Sequence, residues 1–79
     1  MKLYKWYKCI DKYGWPCFNN EKGFYGLSEI RLNYQDSFFV LEIEKQTHSD
    51  FVKILLNNKV LYIFFNPNSK SDTDNIIQL

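Results

Sequence analysis

Two stretches of this chain alternate apolar and polar residues with a period of two. In "FYGLSEIRLNY" (24–34), Ile30, Leu32 and Tyr34 alternate with Glu29, Arg31 and Asn33. In "FFVLEIE" (38–44), Phe39, Leu41 and Ile43 alternate with Phe38, Val40, Glu42 and Glu44. A period of two suits a half-buried strand and places successive side chains on opposite faces, which a helix cannot do. The short polar "QDS" between them reads as a turn, so the two stretches are expected to pair as a hairpin. Arg31 would then face a glutamate of the second strand across the exposed side.

The other segments carry weaker signals. "FVKILL-NN-KVLYIFF" reads as a second hairpin over 51–56 and 59–65, because Asn57 and Asn58 both tolerate positive φ. The rival reading makes 50–57 a short helix capped by Ser49 or Thr47, with Phe51, Ile54 and Leu55 inward. Residues 1–13 place Lys2, Lys5, Lys8 and Lys12 on one helical sector, but their Tyr, Trp, Cys and Ile content and the lack of a cap favour a strand. "EKQTHSD" (44–50) is a charged connector, residues 66–75 an exposed loop, and "NIIQL" a short last strand, a helical turn or a frayed end. All three glycines, Gly14, Gly23 and Gly26, fall in "YGWPCFNNEKGFYG" (13–26), which reads as a long loop between strands.

Seventy-nine residues make one small domain, spanning 1–79. With no alanine and 19% aromatic residues, the chain closes its core with rings, each removing roughly 150–250 Å² from water when buried. The expected fold is mostly β: a small bent antiparallel sheet, or a partly open barrel of four to five strands, with room for one short helix. Bending the sheet also limits its exposed edges. "MKLYKWYKCI" interrupts its apolar residues with lysines, unlike a signal peptide, and no run approaches a membrane span. The expected location is the cytoplasm, with reduced thiols.

The residues that carry chemistry are few. Cys9 and Cys17 stand eight apart with only His48 to join them, too few ligands for zinc, so no metal and no cofactor is expected. Cys9 reads as a small core residue of the first strand. Glu42 and Glu44 read as the wet face of a strand, and no glycine-rich phosphate loop opens a helix. The chain is expected not to be an enzyme. A net charge of +1 argues against a strong nucleic-acid binder, yet the charge is uneven: lysines crowd 1–13, and Asp36, Glu42, Glu44 and Asp50 crowd 35–50. These blocks either pair across a sheet or present separate faces.

The phrase Lys8-Cys9-Ile10-Asp11, the later Lys22-Gly23 with Tyr25, Leu27 and Glu29, and then "DSFFVLEIE" and "LYIFFNP" resemble small SH3-like proteins of phages and low-GC bacteria. The resemblance covers about half the chain. A closing phrase rich in Tyr and Gly is missing, and residues 45–58 look inserted. It implies a five-stranded SH3-like barrel whose first strand leads into a long irregular loop, no enzyme activity and no particular ligand.

The functional expectation is a non-catalytic protein-binding domain, a phage or mobile-element product that binds and inhibits a host protein. Its partner-binding residues are Trp15, Phe18 and Tyr25, rimmed by Lys12 and Lys22. Trp15, fixed beside Pro16, is either a lid on the core or an anchor for a partner. The alternative is single-stranded RNA or DNA binding through Lys2, Lys5, Trp6 and Lys8 with stacked rings. The chain itself is expected to be a monomer or a homodimer that does not enter membranes.

Overall fold

The computed structural model describes residues 1–19 and 30–79. Its largest element is a five-stranded antiparallel sheet in the order β6-β5-β4-β1-β7, formed by β1 (Trp6–Cys9), β4 (Ser37–Lys45), β5 (Asp50–Leu56), β6 (Lys59–Phe65) and β7 (Ile76–Gln78). β2 (Trp15–Cys17) and β3 (Ile30–Leu32) form a separate two-stranded sheet. The fold is therefore mostly β, and among the described residues the sheet does not close into a barrel. β2 reaches the edge of β6 through one bridge, where Phe18 and Tyr62 exchange both backbone hydrogen bonds at 2.8 Å.

The core lies between the inner face of the large sheet and the small one. The sheet contributes Tyr7, Cys9, Phe38, Val40, Val52, Ile54, Leu61 and Ile63, and the small sheet contributes Cys17 and Leu32, all buried. Pro16 and Arg31, paired on the opposite side of the small sheet, are exposed. Cys9 fills the core place on the first strand that its residue type suggested.

The hairpin over 51–65 forms as expected. Asn57 and Asn58 adopt φ of +50° and +65°, the positive values that a two-residue turn of type I′ requires. The N-terminal segment resolves as a strand at Trp6–Cys9.

The first hairpin needs correction. β3 pairs with β2 and not with β4, whose neighbours are β1 and β5. The turn at 33–36 exists, closed by Asp36 N–H donating to Asn33 O and by Asn33 N–H donating to the Asp36 carboxylate. It redirects the chain between two sheets, because Gln35, at φ +72°, donates its N–H to Cys9 O instead of starting a ladder back to β3. Arg31 accordingly faces Pro16, and its Nε donates to Tyr13 O. The part of the expected strand before Ile30 lies outside the described residues.

β4 also departs from a single alternation. Its pairing with β5 slips between Val40 and Glu42, which leaves Leu41 as the extra residue of a β-bulge. Phe38 and Val40 face the core before the bulge, and Ile43 packs against it afterwards. The expected loop at 66–75 contains a short helix, α1 (Lys70–Asn75), capped by Ser69, whose Oγ accepts from Asp72 N–H. No helix among the described residues is long and apolar enough to cross a membrane.

Candidate functional site

On the outer face of the five-stranded sheet, Trp6 and Val60 are exposed and Phe51 and Tyr62 are buried. Strand register fixes which residues lie there. Tyr7 and Cys9 point inward, so Trp6 and Lys8 point outward. Trp6 is opposite Phe39, Phe39 opposite Leu55, and Leu55 opposite Val60, and directly opposed residues share a face. These four side chains form one straight apolar row across β1, β4, β5 and β6. Trp6 is 51% exposed and Val60 45%, while Phe39 and Leu55 are half-buried.

Tyr4 extends the row at its β1 end. Its ring stacks on Phe39 with centroids 6.4 Å apart, and Trp6 leans on the same ring at 5.3 Å. Tyr4 N–H donates to Val40 O, and Val40 N–H donates to Lys5 O, so two residues oppose one and Tyr4 occupies a bulge. Its φ of +59° is uncommon for a bulky residue and costs about 1–2 kcal/mol relative to ordinary backbone. The ring is nevertheless 65% exposed, so that strain does not secure core packing.

The two flanks of the row differ in charge. On one side Lys8 stands level with Ser37 and Ile77. On the other, Glu42, Lys53 and Tyr62 form the next row, followed by Glu44, Phe51 and Phe64. Here Glu42, Ile43, Glu44, Phe51, Lys53 and Tyr62 line a shallow open depression of about 440 Å³. Phe51 and Tyr62 stack at 5.2 Å and 9° along its wall, and Lys53 reaches Glu42 at 3.8 Å. Among the described residues the ion pairs are Lys45–Asp50 and Lys53–Glu42. The lysines of 1–13 therefore do not pair with the acidic block of 35–50, and the two present separate regions.

The residues singled out in the sequence fall in different places. Trp15 is half-buried, with its indole N–H donating to Phe64 O at 3.1 Å and its ring beside Phe65, so it is a lid on the core. Phe18 is half-buried with its ring edge-on to Phe64. Both lean on β6, whereas Lys12 is exposed in the turn before Gly14. Lys22 and Tyr25 lie outside the described residues. Of the other set, Trp6 and Lys8 share the outer face, and Lys2 and Lys5 are exposed beside it. Phe39, Leu55 and Val60 were missed, because an outward apolar residue looks like core until strand order is known.

The thiols are sealed in. Cys9 and Cys17 are free and buried, and burial pushes Cys17 up to about 11 and raises Cys9 too. Such thiols disfavour the reactive thiolate. His48 is exposed in the 46–49 connector, away from the core that holds them. Among the described residues no group of three or more His, Cys, Asp or Glu is placed to hold a metal ion. No protein-family model, curated protein or solved structure matches the chain.

Proposed function

We propose that this chain is a non-catalytic protein-binding domain whose contact surface is the outer face of the five-stranded sheet. The observation that carries the reading is the exposed row Trp6–Phe39–Leu55–Val60, with Tyr4 at its end. Trp and Tyr supply large rigid contact area and dominate binding energy where they sit inside a rim of charge. The aliphatic half of the row favours protein over nucleic acid, since Leu55 and Val60 offer a base no ring to stack on. Inhibition of a host protein by a phage or mobile-element product, in the cytoplasm, belongs to the same proposal. So does the SH3-like reading, supported by the mostly β fold and weakened by the sheet that does not close among the described residues.

The test is capture of a partner from host lysate by the folded chain and by Trp6→Ala. Loss of capture with an unchanged melting temperature is expected, and undiminished capture would remove the outer face from the function.

A second reading has its own observation. Tyr4 and Trp6 are both exposed, and among the described residues Lys2, Lys5 and Lys8 near them have no ion pair, the combination that single-stranded RNA or DNA binding requires. Titration with a labelled oligothymidylate at two salt concentrations decides it: a steep fall with salt supports this reading, and no binding at low salt ends it.

A further inference from the structure

We infer that the depression beside the apolar row receives an arginine side chain of the protein that this face contacts. The inference rests on the outer face being a protein contact, and names the group the partner must present.

The depression of about 440 Å³ has Glu42 and Glu44 of β4 on one side and Phe51, Lys53 and Tyr62 of β5 and β6 on the other. Its charge does not balance. Lys53 reaches Glu42 at 3.8 Å, and Glu42 is 73% exposed, so the pair is long and screened by water. Glu44 accepts a hydrogen bond from the Gln46 amide at 3.4 Å, a neutral donor, and has no ion pair among the described residues. Two carboxylates against one ammonium leave the lining one negative charge in excess. A cationic guest cancels that excess, and an anionic one is repelled by it.

The walls narrow the choice of cation. Phe51 is directly opposite Glu44, and its ring stacks on Tyr62 at 5.2 Å and 9°, so a flat aromatic wall faces the carboxylates. A guanidinium is a planar cation that packs on a ring while donating two parallel N–H bonds to a carboxylate. A lysine ammonium is a compact, strongly hydrated point charge that uses such a wall less well. The apolar row points to a protein segment as the carrier of this group. Leu55 lies two residues from Lys53 along β5, and Val60 two residues from Tyr62 along β6, so the row borders the depression at a spacing of about 7 Å. An extended segment repeats its side chains on one side at that same interval. With its arginine in the depression, it lays the side chain two places away on Phe39 and Leu55, so the partner segment carries an arginine two residues from an apolar residue.

The test is an NMR titration of the full chain with acetyl-Leu-Ser-Arg-amide, taken to about 10 mM. Two control peptides replace the arginine by lysine or by citrulline, which keeps the shape of arginine and lacks its charge. The arginine peptide is expected to shift the amide signals of Glu42, Glu44, Phe51 and Tyr62. The lysine peptide should bind roughly threefold more weakly and the citrulline peptide roughly tenfold more weakly. Glu44→Gln, an exposed position whose folding is checked by melting, should weaken the arginine peptide about fivefold. No shift with the arginine peptide, equal binding of the citrulline or lysine peptide, or indifference to Glu44→Gln overturns the inference. Capture from host lysate separates it from the reading beneath it. Capture lost by Trp6→Ala and kept by Glu44→Gln removes the arginine and leaves the outer face as the contact, whereas capture kept by both variants removes both.

Discussion

At Gly14, the one glycine among the described residues, a side chain has no room. Its φ is +78°, and a Cβ there would lie 2.5 Å from Leu32 O, a backbone atom that cannot move aside. Gly14→Ala should therefore cost more than about 2 kcal/mol, from the left-handed backbone and the clash together, and lower the melting temperature by roughly 10 °C or more. Trp15 is tested by Trp15→Phe, which keeps the ring and removes the hydrogen bond to Phe64 O. A loss of about 0.5–1.5 kcal/mol in urea unfolding is expected, with partner capture unchanged. Tyr4 should behave in the opposite way. Tyr4→Gly relieves the positive φ but loosens the unfolded chain and loses a stacked ring, terms that nearly cancel. Stability should stay within about 1 kcal/mol of wild type while partner capture weakens. The core thiols give a pH signature. Because the folded state holds the Cys17 proton up to about 11, against an ordinary 9.0, the native state binds the extra proton between those values and stability falls as pH rises. The contribution is complete below about pH 9 and is lost progressively toward pH 11, on the order of 2–3 kcal/mol. Cys17→Ala should flatten that alkaline limb in denaturant titrations.

At the level of elements, the sequence was legible where one local rule decided the outcome. Asn57-Asn58 between two apolar runs specified a tight hairpin turn, and Asn58→Gly, which suits that turn better, should hold or raise stability, whereas Asn58→Val should cost about 1 kcal/mol or more by thermal melting. Alternation correctly identified strands around Ile30–Leu32 and Phe38–Glu44 but not their partners. Period-two patterning fixes which face a side chain takes, and says nothing about which strand lies alongside. The turn at 33–36 resembled a hairpin turn, yet its backbone is tied to Cys9, a residue distant in sequence. In "FFVLEIE" the bulge at Leu41 let two alternations of opposite phase coexist. The sequence carried that conflict openly, since Phe38, Val40 and Ile43 cannot share one face of a regular strand. Helix α1 was hidden by its polarity: it buries no residue, and its signal is the Ser69-x-x-Asp72 spacing of a cap. Ser69→Ala should cost about 1 kcal/mol and speed amide exchange across 70–75.

For the whole molecule, uneven charge was visible from the first reading, and its geometric meaning was not. Lys8 of the early lysines and Glu42 and Glu44 of the acidic middle reach one face only because β1 lies beside β4 in the sheet. The apolar row is likewise a product of strand order, drawing one residue from each of four strands. Trp15 was expected as a lid or a protein anchor and Trp6 as a base-stacking ring, and their surroundings separate only in three dimensions: Trp15 packs against the core, and Trp6 stands out from the sheet. The turn carrying Lys12 and Tyr13, the latter 89% exposed, belongs with the small sheet and serves as the comparison surface. The central claim, that the outer face is the protein contact surface, is tested most directly by capture from host lysate with two matched surface variants, Val60→Asp on the outer face and Tyr13→Asp on the turn. Loss of capture by Val60→Asp with capture retained by Tyr13→Asp is the predicted result. Retention by Val60→Asp together with loss by Tyr13→Asp would contradict the account.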